Sequence, residues 1–261
     1  MAKSGQARVP SPAEQRHLFD VIQQHRHPEK NTAIMQISFK LGLRVQEISL
    51  LQLKEVCRLG RSRQPPREFT LHKVMTLPAA YTKGADALGR SKSKYQRKIV
   101  SFSIEEFDRI ISQVEKLAKA NANINPEEFY PPVKQHKGKS RDLPLVDTEL
   151  REALEAYLVM RLERDPGAKL SDPLFITQKG GPYSPNTLQE HMALMLRDWA
   201  GIEKSSSHSG RRSLITNVIH KQKKSVKVAQ NIAGHVNPST TIIYEEPPEE
   251  EIADALKNVS N

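Results

Sequence analysis

Between Thr148 and Arg164, the residues Leu150, Leu154, Tyr157, Leu158 and Leu162 fall at i, i+4, i+7, i+8 and i+12, with charged residues between them. An α-helix turns once every 3.6 residues, so it alone gathers these positions on one face. Such a face must be buried against others, and the chain supplies them. Ser11-Pro12-Ala13-Glu14 reads as a helix start, with Ser11 as N-cap, Pro12 in the first turn and Glu14 closing a capping box. Leu18, Val21, Ile22 and His25 continue that face to about residue 26. A second helix is predicted from about Asn31 to Lys40, with Ile34, Ile37 and Leu41 inward and Gly42 as a left-handed cap. A third begins near Val45 and carries Ile48, Leu51 and Val56. Downstream, Ile104, Phe107, Ile110, Ile111, Val114 and Leu117 mark another. Ser184-Pro185 opens a helix that buries Leu188, Met192, Met195, Leu196 and Trp199. Shorter helices are predicted from about Ser209 to His220, Val226 to Ala233 and Ser239 to Tyr244.

Strand signals are few. Phe69-Thr70-Leu71 and Ile99-Val100-Ser101-Phe102 alternate, and residues 133–145 read as a tight hairpin with Gly138 in its turn. The fold class is therefore α+β: mostly helical, with a small antiparallel sheet or hairpin. We expect a flexible basic N-terminus over 1–10 and a main body over 11–244. A basic insertion is expected around 58–132, and an acidic tail over 245–261. Ile252, Leu256 and Val259 in that tail predict a small amphipathic helix, able to fold on its own core or to dock on another subunit.

Charge narrows the partners. The chain of 261 residues carries a net charge of +10, with a pI near 9.6 and a mean hydropathy of −0.58. Such an excess favours a polyanion, nucleic acid first. Between residues 58 and 98 the cations include Lys83, Arg90, Lys92, Lys94, Arg97 and Lys98, with only Glu68 and Asp86 against them. One-signed charge of this kind suits a surface that tracks phosphates. Cys57, the only cysteine, allows no internal disulfide and no cysteine zinc cluster, and its setting at a helix end suits a structural thiol. No stretch approaches the roughly 18 apolar residues of a membrane span, and no signal peptide is evident. The expectation is a cytoplasmic, nucleoid-associated protein.

Two imidazoles, His208 and His235, lie close in sequence to the paired Arg211-Arg212 and to Tyr244. Cutting a phosphodiester without a metal requires cations on the non-bridging oxygens, a nucleophile, and an acid for the leaving oxygen. Arginine suits the first role because its planar fork meets two phosphate oxygens and keeps its charge. A phenol can be the nucleophile if cations or a base assist it, and lysine or histidine can supply the proton.

His208-x-x-Arg211, Ala233-Gly234-His235, and Thr240-Thr241-Ile242-Ile243-Tyr244 nine residues after that histidine closely resemble the tyrosine recombinase (phage integrase) family. Gly42-Leu43-Arg44-x-x-Glu47-Ile48-x-x-Leu51 matches the family's first arginine box. The resemblance implies a catalytic domain in which Arg44 and Arg211 bind the scissile phosphate and His235 donates a further hydrogen bond. His208 would accept or shuttle a proton, and Tyr244 would attack phosphorus to give a 3′-phosphotyrosyl link, with Glu47 orienting Arg44. The family's hairpin lysine matches Lys137 in Lys137-Gly138-Lys139-Ser140-Arg141-Asp142-Leu143-Pro144-Leu145, one residue short in the turn, with Lys139 and Lys134 beside it. Lys83 is the alternative, because Arg44 and Lys137 are further apart than is usual in the family. No metal and no cofactor is implied. The implied partners are double-stranded DNA, further copies of the chain in a tetramer, and an accessory DNA-bending protein or second recombinase. The separate helical domain that precedes this catalytic domain in most members is not expected in the stretch before Arg44.

Three rivals stand beside this reading: a tyrosine-type DNA topoisomerase, a catalytically idle DNA-binding regulator, and a metal hydrolase built on His208 and His235. The first shares the chemistry but rejoins the same strand. The second has no use for an aligned phenol, and the third lacks a clustered carboxylate ligand.

Overall fold

Ser11 caps the first helix as its spacing predicts. Its Oγ accepts from the Glu14 N–H at 3.2 Å, and the Glu14 carboxylate accepts from the Ser11 N–H at 2.8 Å. In the computed structural model, which describes residues 7–62, 66–81, 87–90, 101–121, 133–135, 140–235 and 237–244, helix α1 spans Pro12–Ile22 and buries Leu18 and Ile22. Helix α2 spans Pro28–Gln36 and continues as a π-helical turn over Ile37–Leu41 that ends on Gly42 at φ 61°. The helix thus begins earlier than expected, because Pro28 takes the first helical position and fixes a helical φ there. Ile34, Ile37 and Leu41 are buried as predicted.

The predicted third helix is two pieces, α3 (Val45–Leu50) and α4 (Leu53–Val56). Leu51 turns extended at ψ 136°. Its carbonyl accepts from the Leu174 N–H at 2.7 Å, and the Leu53 N–H donates to the Asp172 carbonyl at 3.0 Å. Backbone bonds to a distant segment replace the helical ones, and no local pattern announces that exchange. The apolar stripe survives the break, since Ile48, Leu51 and Val56 are all buried.

Strands β1 (Cys57–Leu59) and β2 (Phe69–Leu71) pair antiparallel. Strand β3 (Val74–Leu77) pairs antiparallel with a strand at Arg141–Pro144, setting Met75 opposite Leu143. The chain divides into two compact units: residues 78–140, and everything on either side of them. The smaller unit holds β4 (Ala87–Arg90) at the centre of a three-stranded antiparallel sheet, between β5 (Ser101–Ser103) and β6 (Val133–Gln135). Helix α5 (Ile104–Ala120) follows β5 directly, with Ser103 and Glu106 forming its capping box. On its predicted apolar face Phe107, Ile110, Ile111 and Val114 are half-buried, and Leu117 is exposed.

In the larger unit, Arg141–Pro144 is β7. The tight hairpin expected over 133–145 is therefore incorrect, because β6 pairs with β4 while β7 pairs with β3. Turn residues mark where strands end, but the partner is chosen by which apolar faces meet. Met75 and Leu143 are both buried and directly opposed. The connection between paired strands β3 and β7 is accordingly the whole of residues 78–140.

Helix α6 (Thr148–Arg164) buries all five of its predicted core residues and packs along α2. Lys40 ties the π-turn to the start of α6 through Asp147 at 3.0 Å and Glu149 at 2.7 Å. Helix α7 (Pro185–Ala193), capped by Ser184, runs into a π-turn over Leu194–Trp199. Trp199 is half-buried rather than core, with its face covered by the His25 ring at 3.8 Å. Helix α8 (Ser209–Thr216) lies against the π-turn after α2, close enough that a Cβ on Gly210 would collide with Ser38. Helices α9 (Val226–Ala233) and α10 (Ser239–Ile242) complete the described chain.

Candidate active site

Three separated segments bring guanidinium groups together. Arg44 is the residue just before α3, and its backbone N–H donates to Glu47 Oε2 at 2.7 Å while its Nη1 meets Oε1 at 3.1 Å. Arg141 opens β7 and donates from Nη2 to the same Glu47 carboxylate at 2.6 Å and from Nη1 to the Ala233 carbonyl at 2.5 Å. Arg211, in the first turn of α8, donates from Nη1 to the Gly42 carbonyl and from Nη2 to the Ala233 carbonyl, each at 2.5 Å. The Ala233 carbonyl therefore holds two guanidiniums, and Glu47, 1% exposed, holds the other pairing.

Local conformation makes this convergence possible. Gly42 and Gly234 both end helices in the left-handed region, at φ 61°; at these ends the Gly42 and Ala233 carbonyls lie beyond the last intrahelical donor and accept from arginine instead. At Gly234 a Cβ would also run into the Arg141 guanidinium.

His235 follows that turn and is 8% exposed. Gln230 clamps its backbone, accepting from the His235 N–H at 3.2 Å and donating to its carbonyl at 3.0 Å. Its Nδ1 is hydrogen-bonded to the hydroxyl of buried Thr241 at 2.9 Å. Burial first, then the charges of Arg211, Arg44 and Arg141, push this imidazole down to about 3, so it is neutral at physiological pH. Burial and the neighbouring Arg44 likewise hold Arg211 down to about 9, against the pull of Glu47. It remains a cation at neutral pH.

The Tyr244 ring lies 6.2 Å from that of His235 at an interplanar angle of 19°. The Arg212 guanidinium sits over its face at 5.8 Å, and its carbonyl is hydrogen-bonded to His220 Nε2 at 2.8 Å. The ring is half-buried against the cluster of Ile215, Val218, Ile219, Ala229 and Ala233. His208 is exposed at the cap of α8, three residues before Arg211 and so on the same side of the helix start.

The structure thus brings Arg44, Glu47, Arg211, His235 and Tyr244 to one place. Lys83, Lys92, Lys94, Arg97, Lys98, Lys137 and Lys139 lie outside the described residues, as does the tail over 245–261; Arg90 and Lys134 lie in β4 and β6. Among the described residues no group of three or more His, Cys, Asp or Glu could hold a metal ion, and no helix is long and apolar enough to cross a membrane.

Two participants are not singled out by the sequence. Arg141 stands inside the lysine-rich run, where the lysines carry the family resemblance. Thr241 stands inside the tyrosine box, where the spacing points to Tyr244. Their positions in those motifs are the available signal; their partners come from other parts of the chain.

Known proteins resemble this chain in sequence and in fold. The model of the phage integrase family matches residues 95–251, more than half of the chain. Tyrosine recombinase XerC of Methylobacterium sp. (strain 4-46) is 35% identical over 108 residues, 41% of this chain and 32% of that protein. XerC of Methylobacterium nodulans is 37% identical over 73 residues, 28% of this chain and 22% of that protein. The matched region thus spans about a third or less of these relatives' length. XerA recombinase shares the fold with a TM-score of 0.57 at 17% identity, over all of this chain and 66% of that one. The Tn1549 transposon integrase in complex with transposon right end DNA gives 0.57 at 14% identity, covering 98% of this chain and 67% of that one. With three arginines, a neutral histidine and a tyrosine placed by a mostly helical α+β fold, the chain belongs to the phage integrase family and carries a tyrosine recombinase catalytic domain.

Proposed function

We propose that this chain cuts and rejoins DNA as a site-specific recombinase, through a 3′-phosphotyrosyl intermediate. The observation that carries the reading is the cluster of Arg44, Arg141 and Arg211, joined through the single carboxylate of Glu47 and the Ala233 carbonyl, with the ring of neutral His235 near-parallel to that of Tyr244 at 6.2 Å. Three cations against one carboxylate leave an excess of positive charge in a partly buried site, which favours an anion entering it. Arg211 spends two of its five N–H groups on carbonyls, leaving three for phosphate oxygens.

In this reading Arg44 and Arg211 hold the non-bridging oxygens of the scissile phosphate. With Nδ1 engaged by Thr241, His235 donates to the phosphate from Nε2. The Tyr244 oxygen attacks phosphorus as the bond to the 5′ oxygen breaks. The phenol proton passes to His208, and the 5′ oxygen takes a proton from Lys137, or from Lys83 or Lys139 in its place. A 5′-hydroxyl of another strand reverses the step, so the phosphodiester energy is kept and neither metal nor nucleotide is consumed. Glu47 and Arg141 position Arg44 without touching DNA. Arg90, Lys92, Lys94, Arg97 and Lys98 grip the duplex backbone. Double-stranded DNA in the cytoplasm is the substrate, bound by a tetramer in which the acidic tail passes to a neighbouring copy, with an accessory DNA-bending protein or second recombinase as a further partner.

Tyr244→Phe is expected to abolish covalent trapping on a nicked suicide substrate while DNA binding persists; continued trapping would remove the nucleophile from this scheme. A substrate with a 5′-bridging sulfur then identifies the acid, since sulfur leaves without a proton. Of Lys137→Ala and Lys83→Ala, only the variant lacking the acid should be rescued.

A further inference from the structure

Within the larger unit, sharing no lining residue with the arginine cluster, lies a cavity of about 370 Å³ between α2, α7 and the turn carrying Thr177. Its walls combine cations with flat rings. Lys30 is 4% exposed, yet its Nζ makes one hydrogen bond, to the neutral Ile176 carbonyl at 3.2 Å, and lies 5.4 Å from the Tyr183 ring. An ammonium carries three protons, so two have no acceptor among the described residues. No lining residue is acidic, and Arg26 adds a second cation. Arg164, which lines the smaller adjoining cavity with Lys30, adds further positive potential. A buried charge normally has a counter-charge, and here the described residues supply none.

The rings define the other half of the site. Trp199 is held parallel to His25 at 3.8 Å and 5°, and edge-on to His191 at 6.0 Å and 90°. Tyr183 stands 5.9 Å from His191. Burial and the nearby Lys30 push His191 down to about 4, so its bond to Asn31 Oδ1 at 2.8 Å is donated by Nε2 of a neutral ring. Nδ1 is then left as an acceptor.

We propose that this cavity binds a small flat-ringed anion, a ring bearing a carboxylate or a phosphate, with the charged group on Lys30 and Arg26 and the ring beside Tyr183 and Trp199. Aromatic carboxylates and nucleoside monophosphates both carry this chemistry. Trp199 is the chain's only tryptophan, so its fluorescence reports on the cavity directly.

The full chain is titrated with benzoate and with AMP, and in parallel with benzyl alcohol, adenosine and inorganic phosphate, under selective tryptophan excitation. At least one ring anion should give a saturable change, and which one responds distinguishes the two sources. The uncharged rings and free phosphate should bind far more weakly. Loss of a charge-assisted hydrogen bond in Lys30→Met should weaken binding about ten-fold or more, and Arg26→Gln should weaken it several-fold. Arg26 is exposed, so its variant keeps the test intact if Lys30→Met does not fold. No saturable response to either anion, equal binding of the uncharged parents, or full affinity without the cations would overturn the proposal.

Discussion

Gly234→Ala isolates what the turn before His235 contributes. Gly234 sits at φ 61°, and a Cβ there collides with the Arg141 guanidinium. Two costs add. Holding alanine in the left-handed region costs about 1–2 kcal/mol. Displacing the Arg141 Nη1 breaks its bond to Ala233 O, and one hydrogen bond from a charged group contributes about 1.5–3 kcal/mol. The total expected is about 3–5 kcal/mol. Gly201→Ala is the control. Gly201 has φ 64°, and a Cβ added there would meet nothing within 4 Å, so it should show the backbone cost alone, about 1–2 kcal/mol. Urea denaturation of both variants on one transition measures the difference. Covalent trapping on a suicide substrate should also fall in Gly234→Ala and stay normal in Gly201→Ala. Equal destabilisation by the two substitutions would refute the claim that Arg141 is fixed against this turn.

Glu47→Gln leaves Arg44, Arg141 and Arg211 without their buried counter-charge, and should destabilise by about 3–5 kcal/mol in urea melts. Adding Arg141→Met should then cost less than it does alone, because one surplus cation is removed; strict additivity would contradict the network. Stability should depend on pH through His235. Its folded value of about 3 lies below the ordinary 6.5, so the unfolded chain binds the extra proton between those values. The contribution is full above pH 6.5 and falls as pH drops towards 3, by up to about 1.4 kcal/mol per pH unit. His191, held at about 4, acts in the same direction. Melts at pH 7 and pH 5 should show His235→Gln losing less stability on acidification than the parent chain; an unchanged difference would exclude a buried neutral imidazole.

Most helices were legible because their causes are local. The capping box at Ser11, the proline after Ser184, and the apolar spacing from Leu150 to Leu162 act within one or two turns, and each produced the predicted element. Strand partners were not legible in the same way. Gly138 and the alternation around it suggested a hairpin, but a ladder joins residues by the faces they bury, and Met75 found Leu143 across more than sixty intervening residues. The break at Leu51 has the same origin, in backbone bonds to Leu174 and Asp172.

The residue types of the candidate site are legible in the sequence by itself: Arg44, Arg211, His235 and Tyr244 stand in short spaced boxes, and spacing within a box is a local property. What only the tertiary structure decided is how they are held. Arg141 shares Glu47 with Arg44 and shares the Ala233 carbonyl with Arg211, and Thr241 engages His235. Most of these contacts join segments distant in the chain, and His235 is kept neutral first by its burial and then by three arginines, which meet only after folding. Charge and hydrogen bonding act through space, so sequence order carries the identity of these groups and the fold carries their chemistry.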